Sequence, residues 1–439
     1  MPGKLAIIGG GAAGMMAAIR AAEALGDGSC IVLFDKNERL GRKIYLTGKG
    51  RCNLTNMRPW EEFSTHIHPN QGFLKHSFYA FSNEDTLSFF ESLGVPTVVQ
   101  QGKRAFPASL VAGDVARALE RRVLELGVDV RYGHEIKSLE ELDGFDAVIV
   151  ATGGKSYPVT GSTGDGYRFA KEAGHTVTQV FPSETALLPA DYDPALPGME
   201  MKNVGLHLYV DRQIVQSEQG DFNFTGDGLE SGIAYLVSRR AVRALTNGQC
   251  VDIILDLKPA LSEEQLLNRL KRTSQLRCSS RSQKNARGSE YRPLAASLSP
   301  TSESVSNRHA RLDPRHSGLD PRHSGLDPES LRTFMPETLI VPFLRSHPGL
   351  TAEKIPVALK SWPFRITSYK GYERAVVTAG GVSLKEIVPK TMASRLRPGL
   401  WFCGEVLDLD GDTGGYNLQI AFSTGAAAGT SAAKYLMSL

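Results

Sequence analysis

The chain has 439 residues, more than one ordinary domain holds and enough for two or three. Hydrophobic residues make up 41% of it, sufficient for a large core, and the formal net charge of +3 gives no electrostatic reason to expect a nucleic-acid partner. No two of the five cysteines form a C-x-x-C or C-x4-C pair, which argues against a zinc site, a disulfide framework and a redox-active disulfide.

The N-terminal sequence and the hydropathy indicate a protein of the cytoplasm. Lys4 precedes a short apolar run, as in a signal peptide, but three consecutive glycines interrupt the run and Arg20 follows. No stretch reaches the roughly eighteen apolar residues of a membrane-spanning helix. We therefore expect a cytoplasmic protein with free thiols and no membrane partner, and the sequence leaves its oligomeric state open.

The beginning of the chain contains a complete nucleotide-binding pattern. An apolar run at 5–8 predicts a buried strand, and G-x-G-x-x-G spacing follows at 9–14. An alanine-rich stretch at 15–25 predicts a helix, and a second apolar run at 30–34 ends at Asp35. Strand, glycine turn, helix, strand and acid in this order form the unit that binds an adenine dinucleotide in α/β proteins.

Each part of this unit has a physical role. Gly9 permits the tight turn, Gly11 lets the backbone approach a diphosphate, and Gly14 lets the helix pack on the strand. The helix N-terminus offers free N–H groups to the diphosphate, and the carboxylate can accept from both ribose hydroxyls. The predicted cofactor contacts are Gly9, Gly11, Ala12, Ala13, Gly14 and Asp35.

A polar, basic loop follows at 36–56 and lacks apolar periodicity. A solvated loop is one interpretation. However, its glycines, basic residues and asparagines are typical of a segment that wraps an anion or a heterocycle, and the N–H groups of Gly48 and Gly50 could form an anion-binding nest. The candidate contacts in this loop are Lys36, Arg42, Lys43, Gly48, Arg51, Cys52 and Asn53.

Further contacts are predicted where later strands end. Helices are expected at 84–93 and 109–126, a hairpin at 96–107, and strands at 128–132 and 146–150. The backbone near Ile136, just past the first of these two strands, is expected to lie against the adenine. The last strand runs into the small residues Ala151, Thr152 and Gly153, which are predicted to pass close under the cofactor. A purely structural turn is the alternative interpretation.

The C-terminal segment distinguishes FAD from NAD. A strand at 400–403 is followed by Gly404 and Glu405, and a glycine turn then opens a long helix. An acid after this strand can hold ribityl hydroxyls, and the helix N-terminus can face the flavin pyrimidine edge. The predicted contacts at this helix start are Gly415, Tyr416 and Asn417.

Five stretches resemble one family. L-G-R-K with T-G-K-G-R-C-N-L-T-N, S-Y-P-x-T-G-S-T-G-D-G-Y, T-x-G-G-V, G-E-V-L-D and T-G-G-Y-N-x-Q are similar to the HI0933-like (BaiN-type) flavoproteins, also called aminoacetone oxidase-like. The resemblance covers residues 4–270 and 333–437. It implies bound FAD, with the basic loop against the cofactor. At 224–232 the histidine and proline of the family's F-T-H-x-G-x-S-G-P motif are absent, so substrate choice is expected to differ.

The predicted fold is α/β, a discontinuous Rossmann-like FAD-binding domain of the two-dinucleotide-binding flavoprotein type, with an inserted β domain and a small helical cap. The FAD-binding domain comprises 1–188 and 361–439, the antiparallel β domain 189–258 and the cap 259–360. Short helices are expected at 336–344 and 352–359, and a return path at 360–371.

An insertion at 273–331 interrupts the predicted cap. The sequence L-D-P-R-H-S-G at 312–318 recurs at 319–325. Proline and glycine in each repeat exclude a coiled-coil seam. RNA binding is an alternative, but no aromatic residues are interleaved for stacking. We therefore expect a disordered insertion.

These features predict an FAD-dependent oxidoreductase that acts on a small molecule by hydride transfer through flavin N5, as an NAD(P)H-linked reductase or an amine oxidase-like enzyme. A flavin-dependent RNA-modifying protein and a non-catalytic flavin-binding module are the alternatives. No catalytic residue and no metal site is assigned. Tyr157, Tyr416 and Lys49 are candidates only, with structural or cofactor-binding roles expected for each.

Overall fold

The computed structural model of the protein describes residues 3–273 and 328–439. Its strands are β1 (Leu5–Ile8), β2 (Ile31–Phe34), β3 (Thr55–Asn56), β4 (Ile67–His68), β5 (Thr97–Gln100), β6 (Arg104–Pro107), β7 (Asp129–Arg131), β8 (Ala147–Val150), β9 (Phe181–Ser183), β10 (Leu187–Pro189), β11 (Glu200–Val210), β12 (Gln213–Thr225), β13 (Gly228–Leu229), β14 (Val251–Asp256), β15 (Trp362–Tyr369), β16 (Val377–Ala379), β17 (Leu400–Phe402) and β18 (Asp410–Gly411).

Its α-helices are α1 (Ala12–Leu25), α2 (Trp60–Phe63), α3 (Gln71–Ala80), α4 (Asn83–Ser92), α5 (Ala112–Glu125), α6 (Asp165–Glu172), α7 (Gly232–Thr246), α8 (263–273), α9 (Glu337–Ser346), α10 (Ile355–Lys360) and α11 (Tyr416–Leu436). Short 3-10 segments include Ile44–Gly50, Pro328–Thr333 and Gly404–Val406. The predicted insertion at 273–331 lies almost entirely outside the described residues.

A five-stranded parallel sheet forms the centre of the first compact unit, in the order β17-β8-β1-β2-β7. Leu5 in β1 lies opposite Ile31 in β2 and Ala147 in β8, and every residue of β1 is buried. Because parallel strands are covered on both faces, they are uniformly apolar, as the sequence runs indicated. The predicted α/β Rossmann-like fold is confirmed.

The first and last helices pack closely against each other. A Cβ on Gly425 would lie 2.4 Å from the carbonyl oxygen of Ala13, and one on Gly429 would lie 2.1 Å from that of Ala17. Only glycine permits this approach, because the α1 backbone occupies the place where a side chain on Gly425 or Gly429 would lie. The contact holds the C-terminal segment against the N-terminal fingerprint, which makes the nucleotide-binding domain discontinuous in sequence.

Most of a closed barrel, in the order β10-β13-β12-β11-β14-β15, lies in the second compact unit. The predicted hairpin of β11 and β12 is present, with an antiparallel register. Phe343 of α9 packs edge-on against Trp362 of β15, with ring centroids 5.3 Å apart, and Phe224 of β12 lies 5.8 Å from the same ring. The cap helix and the barrel thus share one aromatic core.

The compact units depart from the predicted segments in two places. The first unit comprises 3–188, 234–249 and 367–439, and the second comprises 189–233 and the described part of 250–366. Most of α7 therefore groups with the nucleotide-binding unit, not with the inserted β segment. The stretch 360–371, predicted as a return path, contains β15, which pairs with β14 in the barrel.

In residues 3–273 and 328–439 no helix is both long and apolar enough to cross a membrane.

Candidate cofactor site

The turn from β1 into α1 has the geometry that the fingerprint predicts. Gly9 has φ 102°, and a Cβ on it would lie 2.6 Å from the carbonyl oxygen of Ala151. A Cβ on Gly14 would lie 1.8 Å from the carbonyl oxygen of Gly9. In contrast, apart from Gly11 and its immediate chain neighbours, no atom of the described chain lies within 4 Å of the Cβ position of Gly11. The helix start is therefore open where a diphosphate would approach it.

The carboxylate of Asp35 is already engaged by the protein. Its Oδ2 accepts the N–H of Gly10 at 2.8 Å, and its Oδ1 accepts the backbone N–H and the side-chain amide of Asn37, each at 2.8 Å. A carboxylate offers about four accepting positions. The predicted bonds from both ribose hydroxyls would need two of them, and the three existing bonds leave about one. Asp35 thus positions the turn and keeps room for a single further donor.

Two basic residues of the predicted loop, Lys36 and Arg42, use their side chains in hydrogen bonds within the protein. The ammonium group of Lys36 donates to Thr163 Oγ1 and to Asp165 Oδ2, both at 2.6 Å. Arg42 donates to Asn37 Oδ1 at 2.6 Å. The structure therefore places these two side chains in contacts within the protein, which sequence reasoning could not foresee because their acceptors include distant residues.

Ile136 lies in the segment that runs beside Asp35. The N–H of His134 donates to the carbonyl oxygen of Asp35 at 2.9 Å, and the N–H of Gly133 donates to that of Asn37 at 3.0 Å. The side chain of Ile136 is 4% exposed. This segment and the end of β2 therefore share one edge of the sheet, where an adenosine is expected.

Lys43 and Glu405 form the polar centre of the site. Lys43 Nζ lies 2.6 Å from Glu405 Oε2 and donates to Ser156 Oγ at 2.5 Å. Ser156 Oγ and the N–H of Thr378 each donate to Glu405 Oε1 at 2.8 Å. Gly404 lies against α1, since its Cβ would be 2.7 Å from that of Ala13. The structure thus unites predicted residues from the loop and the C-terminal strand.

The basic loop turns through several left-handed residues. Gly48, Lys49, Gly50 and Cys52 have φ values of 57°, 58°, 82° and 59°. Arg51 lies over the ring of Phe106 at 5.1 Å. Cys52 is fully buried, and burial raises the pKa of its thiol to about 12. The thiol is therefore protonated at neutral pH and does not act as a nucleophile, so Cys52 shapes the loop.

Several buried polar atoms in this unit have no hydrogen-bond partner among the described residues. Asn53 Oδ1 lies on the loop before β3 and Thr55 Oγ1 lies in β3, and Asn53 Oδ1 would be 2.9 Å from a Cβ on Gly415. Thr152 Oγ1 and the hydroxyl of Tyr167 are two more. A buried polar atom without a partner costs about 1–3 kcal/mol, so these atoms indicate a polar ligand. The polar atoms of FAD fit this requirement.

The start of α11 is held by its own side chains. Gly415 has φ 102°, and its cap makes no side-chain hydrogen bond. Arg58 donates to the hydroxyl of Tyr416 at 2.9 Å, and burial raises the pKa of this tyrosine. Asn417 exchanges two hydrogen bonds with the backbone of Gly411, at 2.8 and 2.7 Å. Both predicted side chains are therefore structural, and the backbone N–H groups of the first turn are what the helix start offers a ligand.

Tyr157 and Lys49, the other two candidates for catalysis, both have a left-handed backbone conformation. Tyr157 has φ 52°, and its backbone N–H donates to the carbonyl oxygen of Tyr372 at 2.9 Å. Lys49 is exposed within the left-handed loop. The structural or cofactor-binding roles expected for these two residues stay predictions.

Sequence reasoning missed a cluster of titratable groups beside α11. His66 Nδ1 lies 2.8 Å from Asp412 Oδ2, and His68 Nε2 lies 3.0 Å from Asp412 Oδ1. Burial acts to raise the pKa of Asp412, but hydrogen bonds from both histidines and their charge outweigh it and lower this pKa. The H-x-H spacing was the available signal, since His68 lies in β4 and His66 directly precedes that strand.

Glu184 lies on the other side of this cluster. It is 4% exposed, and Asn417 Nδ2 lies 3.4 Å from its Oε1. Burial, followed by the charges of Asp412 and Asp410, raises the pKa of Glu184 well above its usual range. Asp410 is itself buried and accepts from the Arg239 guanidinium at 2.7 and 3.1 Å. The pKa values of Glu184 and Asp412 therefore move in opposite directions.

A parallel sheet with a glycine fingerprint after β1 and a second glycine-opened helix after the edge strand β17 defines a Rossmann flavoprotein of the FAD-binding class. The family model described as the HI0933-like protein Rossmann domain matches residues 3–431. The chain therefore belongs to the HI0933-like family, a family of flavin-dependent oxidoreductases, as its motifs predicted.

Three curated relatives are similar over nearly their whole length. The 3-dehydro-bile acid delta(4,6)-reductase of Clostridium scindens is 30% identical over 447 residues, with 98% of this chain and 99% of the relative covered. The ribosomal RNA dihydrouridine synthases of Escherichia coli and Haemophilus influenzae are 27% and 25% identical, with 95% of each chain covered.

Proposed function

We propose that this protein is an FAD-dependent reductase of a carbon–carbon double bond conjugated with a carbonyl group in a small molecule, with NAD(P)H as the reductant. The observation that carries the proposal is the pairing of an open helix start at Gly11 with unpartnered buried polar atoms at Asn53, Thr55 and Thr152. The Clostridium relative supports the reaction class, since its name describes reduction of a conjugated 3-oxo compound.

The cofactor would be held along one edge of the central sheet. The N–H groups at Gly11, Ala12 and Ala13 would bind the diphosphate, and Asp35 would bind one ribose hydroxyl. The backbone at Ile136 would contact the adenine, and that at 151–153 would lie under the diphosphate. Ser156, Lys43 and Glu405 would contact the ribityl chain. For the flavin ring the contacts would be Gly48, Asn53, Thr55, Gly415, Tyr416 and Asn417.

The chain's own residues would set the electrostatics of the reaction. When bound, the flavin supplies hydride chemistry at N5. The partial positive charge at the start of α11 favours negative charge on a group in front of it. Lys43 balances the charge of Glu405, from which its ammonium nitrogen is 2.6 Å away. Cys52 and Cys403 are buried, with the pKa of each thiol raised, so neither would compete as a nucleophile.

A second candidate is favoured by the two ribosomal RNA dihydrouridine synthases, which resemble this chain over 95% of its length. The double bond that dihydrouridine lacks is conjugated with a carbonyl in uridine, so the bond to be reduced is of the same kind. The two candidates therefore share a reaction and differ in the size and charge of the substrate. An RNA substrate needs a basic surface, and its binding weakens steeply with salt.

The first experiment identifies the cofactor. The purified protein should be yellow, with absorbance near about 450 nm, and heat should release FAD and not FMN. The adenosine half is required because the fingerprint and Asp35 form a complete nucleotide-binding unit. Release of FMN, or a folded protein that never binds a flavin, would contradict the proposed cofactor.

The second experiment identifies the substrate class. The holoprotein is reduced anaerobically with NADH or NADPH, and reoxidation is then followed with a conjugated steroid dienone, a simple enone, a primary amine's imine product and ribosomal RNA. Fast reoxidation by the dienone or the enone supports the first candidate, and fast reoxidation by RNA alone supports the second. A flavin that neither nucleotide reduces would contradict the NAD(P)H-linked reductase and favour a non-catalytic module.

A further inference from the structure

Glu184, in the turn between β9 and β10, combines a buried carboxyl group with an unusual backbone. The residue is 4% exposed, and its φ is 50°, in the left-handed region that a residue with a Cβ rarely adopts. Both features destabilise the folded chain. Backbone strain of this kind concentrates at functional sites, where the surroundings hold it in place.

The surroundings of Glu184 do hold it. Ser183 pairs with Val377 in the adjacent strand, and the N–H of Val376 donates to the carbonyl oxygen of Glu184 at 3.2 Å. Thr185 Oγ1 donates to the carbonyl oxygen of Lys370 at 2.8 Å. The backbone is therefore fixed on both sides of Glu184, and the carboxyl group has a defined position.

That position is beside the first turn of α11. The amide of Asn417, two residues after Gly415, lies 3.4 Å from the carboxyl oxygen. Gly415 in turn adjoins Asn53, whose Oδ1 has no partner among the described residues. The carboxyl of Glu184 thus lies next to the helix start that is proposed to face the flavin pyrimidine edge.

The charges around Glu184 oppose its ionisation. Burial has the largest effect on the pKa of Glu184, the anionic charges of Asp412 and Asp410 add to it, and a hydrogen bond from Thr413 acts in the opposite direction. Glu405 contributes a smaller effect of the same sign as burial. The charged and titratable groups that face this carboxyl or balance its neighbours are Asp410 with Arg239, Asp412 with His66 and His68, and Glu405 with Lys43.

We propose that Glu184 holds a proton beside the cofactor at neutral pH, and that binding of this proton is coupled to reduction of the flavin. A carboxylate beside the cofactor would oppose the arrival of electrons, whereas a neutral carboxyl would not. When Glu184 is ionised, reduction of the flavin, which itself takes up two electrons and a proton, would be accompanied by binding of one further proton from solvent at the Glu184 carboxylate. The inference rests on the proposed FAD site but not on the proposed substrate.

The test is the midpoint potential of the bound flavin between about pH 6 and pH 10, measured by dye equilibration. In the parent protein the potential should fall more steeply once Glu184 ionises. In Glu184→Gln this extra slope should vanish, so the variant has the higher potential at alkaline pH. In Asp412→Asn the steep region should move to lower pH, because the anion that opposes ionisation of Glu184 is gone.

Glu386→Gln is the matched control, since it removes a carboxylate that pairs with His175 at 3.2 Å, outside this cluster. The midpoint potential of Glu386→Gln should depend on pH in the same way as that of the parent protein. If Glu184→Gln loses flavin, the test is the pH dependence of the potential in Asp412→Asn, which retains Glu184. The inference is wrong if the lines for the parent and both variants stay parallel throughout. If the potential shows the coupling to Glu184 but the protein reduces no conjugated substrate, the proposed function is wrong and the inference about Glu184 stands.

Discussion

The starts of α1 and α11 share a glycine cap and differ in what surrounds it. Gly11 caps α1 at φ −79°, and apart from its immediate chain neighbours no atom of the described chain comes within 4 Å of its Cβ position. Gly415 caps α11 at φ 102°, and a Cβ there would lie 2.5 Å from the carbonyl oxygen of Thr55. The chain itself therefore requires glycine at 415, whereas at 11 glycine keeps space open.

This difference shows that a glycine before a helix has two separate physical meanings. At α1 the absence of a side chain serves a ligand, so a substitution should affect binding first. At α11 it serves the backbone, so a substitution should affect folding first. The same contrast extends to the carboxyls. Asp35 is engaged by the turn after β1, whereas Glu184 and Asp412 form an interacting pair beside α11.

The largest effect on stability is expected for Gly415→Ala. The left-handed φ and the overlap with Thr55 should together lower the free energy of unfolding by at least about 3 kcal/mol. Urea denaturation of the apoprotein measures this, because bound FAD would itself add stability. Gly94→Ala is the matched control, since Gly94 has φ 77° but open space around it, and should cost about 1–2 kcal/mol. Equal losses in the two variants would show that the contact with Thr55 is unimportant.

Gly11→Val should abolish flavin binding and leave the apoprotein folded. The branched side chain would occupy the open space at the helix start, while the free energy of unfolding of the apoprotein should change by about 1 kcal/mol. Flavin content measures binding, and circular dichroism measures folding. The comparison is with the parent apoprotein, because bound FAD would itself add stability. Gly144→Val, in an exposed turn with open space, should keep its flavin. Normal flavin content in Gly11→Val would make the fingerprint purely structural.

The two carboxyls beside α11 should give the stability opposite pH dependences. The pKa of Asp412 is lowered on folding, so its contribution is present above the unfolded pKa of about 4 and is lost as pH falls. The pKa of Glu184 is raised, so its contribution is full at low pH and is lost as pH rises.

Melting temperatures between about pH 2 and pH 9 test these opposite pH dependences. Relative to the parent, Glu184→Gln should become more stable as pH rises, and the destabilisation by Asp412→Asn, on the order of 1 kcal/mol at neutral pH, should shrink on acidification. Parallel pH profiles for the parent and both variants would contradict the opposite pKa shifts.

The smallest effect is expected for replacing residues 274–327 with a short Gly-Ser linker. This segment lies outside the described residues, so the expectation rests on its composition and on loop closure, which costs only about 0.6 kcal/mol per doubling of length. Flavin content should be unchanged. The insertion was predicted to end at residue 331. Leu331 is fully buried, so the dispensable segment should end before it. A deletion through Leu331 should cost about 2–4 kcal/mol, and equal melting temperatures for the two deletions would contradict this.

Much of the fold could be predicted because its signals are local. The order β1, α1, β2 follows from apolar runs and glycine spacing, and the hairpins β5–β6 and β11–β12 follow from alternation around short turns. The strand β15 was missed although Trp362, Phe364 and Ile366 alternate as buried residues with exposed neighbours. A prediction of connecting chain was preferred there, since the barrel that buries this face is assembled from strands more than a hundred positions away.

The candidate site was predicted less completely than the fold. The predicted glycines of the fingerprint lie together at the helix start, and Lys43 meets Glu405 across 362 positions of sequence. Asp35, Lys36, Arg42 and Asn417 use their side chains for hydrogen bonds within the protein, and their predicted cofactor contacts stay predictions. A sequence pattern identifies a polar side chain and its element, but the partner that satisfies it depends on which segments fold beside it.

The sequence by itself determined the Rossmann unit, its glycine turns and its family, because these depend on spacing within a few dozen residues. Only the tertiary structure decided the acid–base neighbourhood of α11. β4 pairs with β18, and this pairing brings His66 to Asp412 across 346 positions, while Glu184 reaches the same cluster from a third segment. The pKa of a carboxyl depends on burial and on nearby charge, and both arise only when distant segments meet.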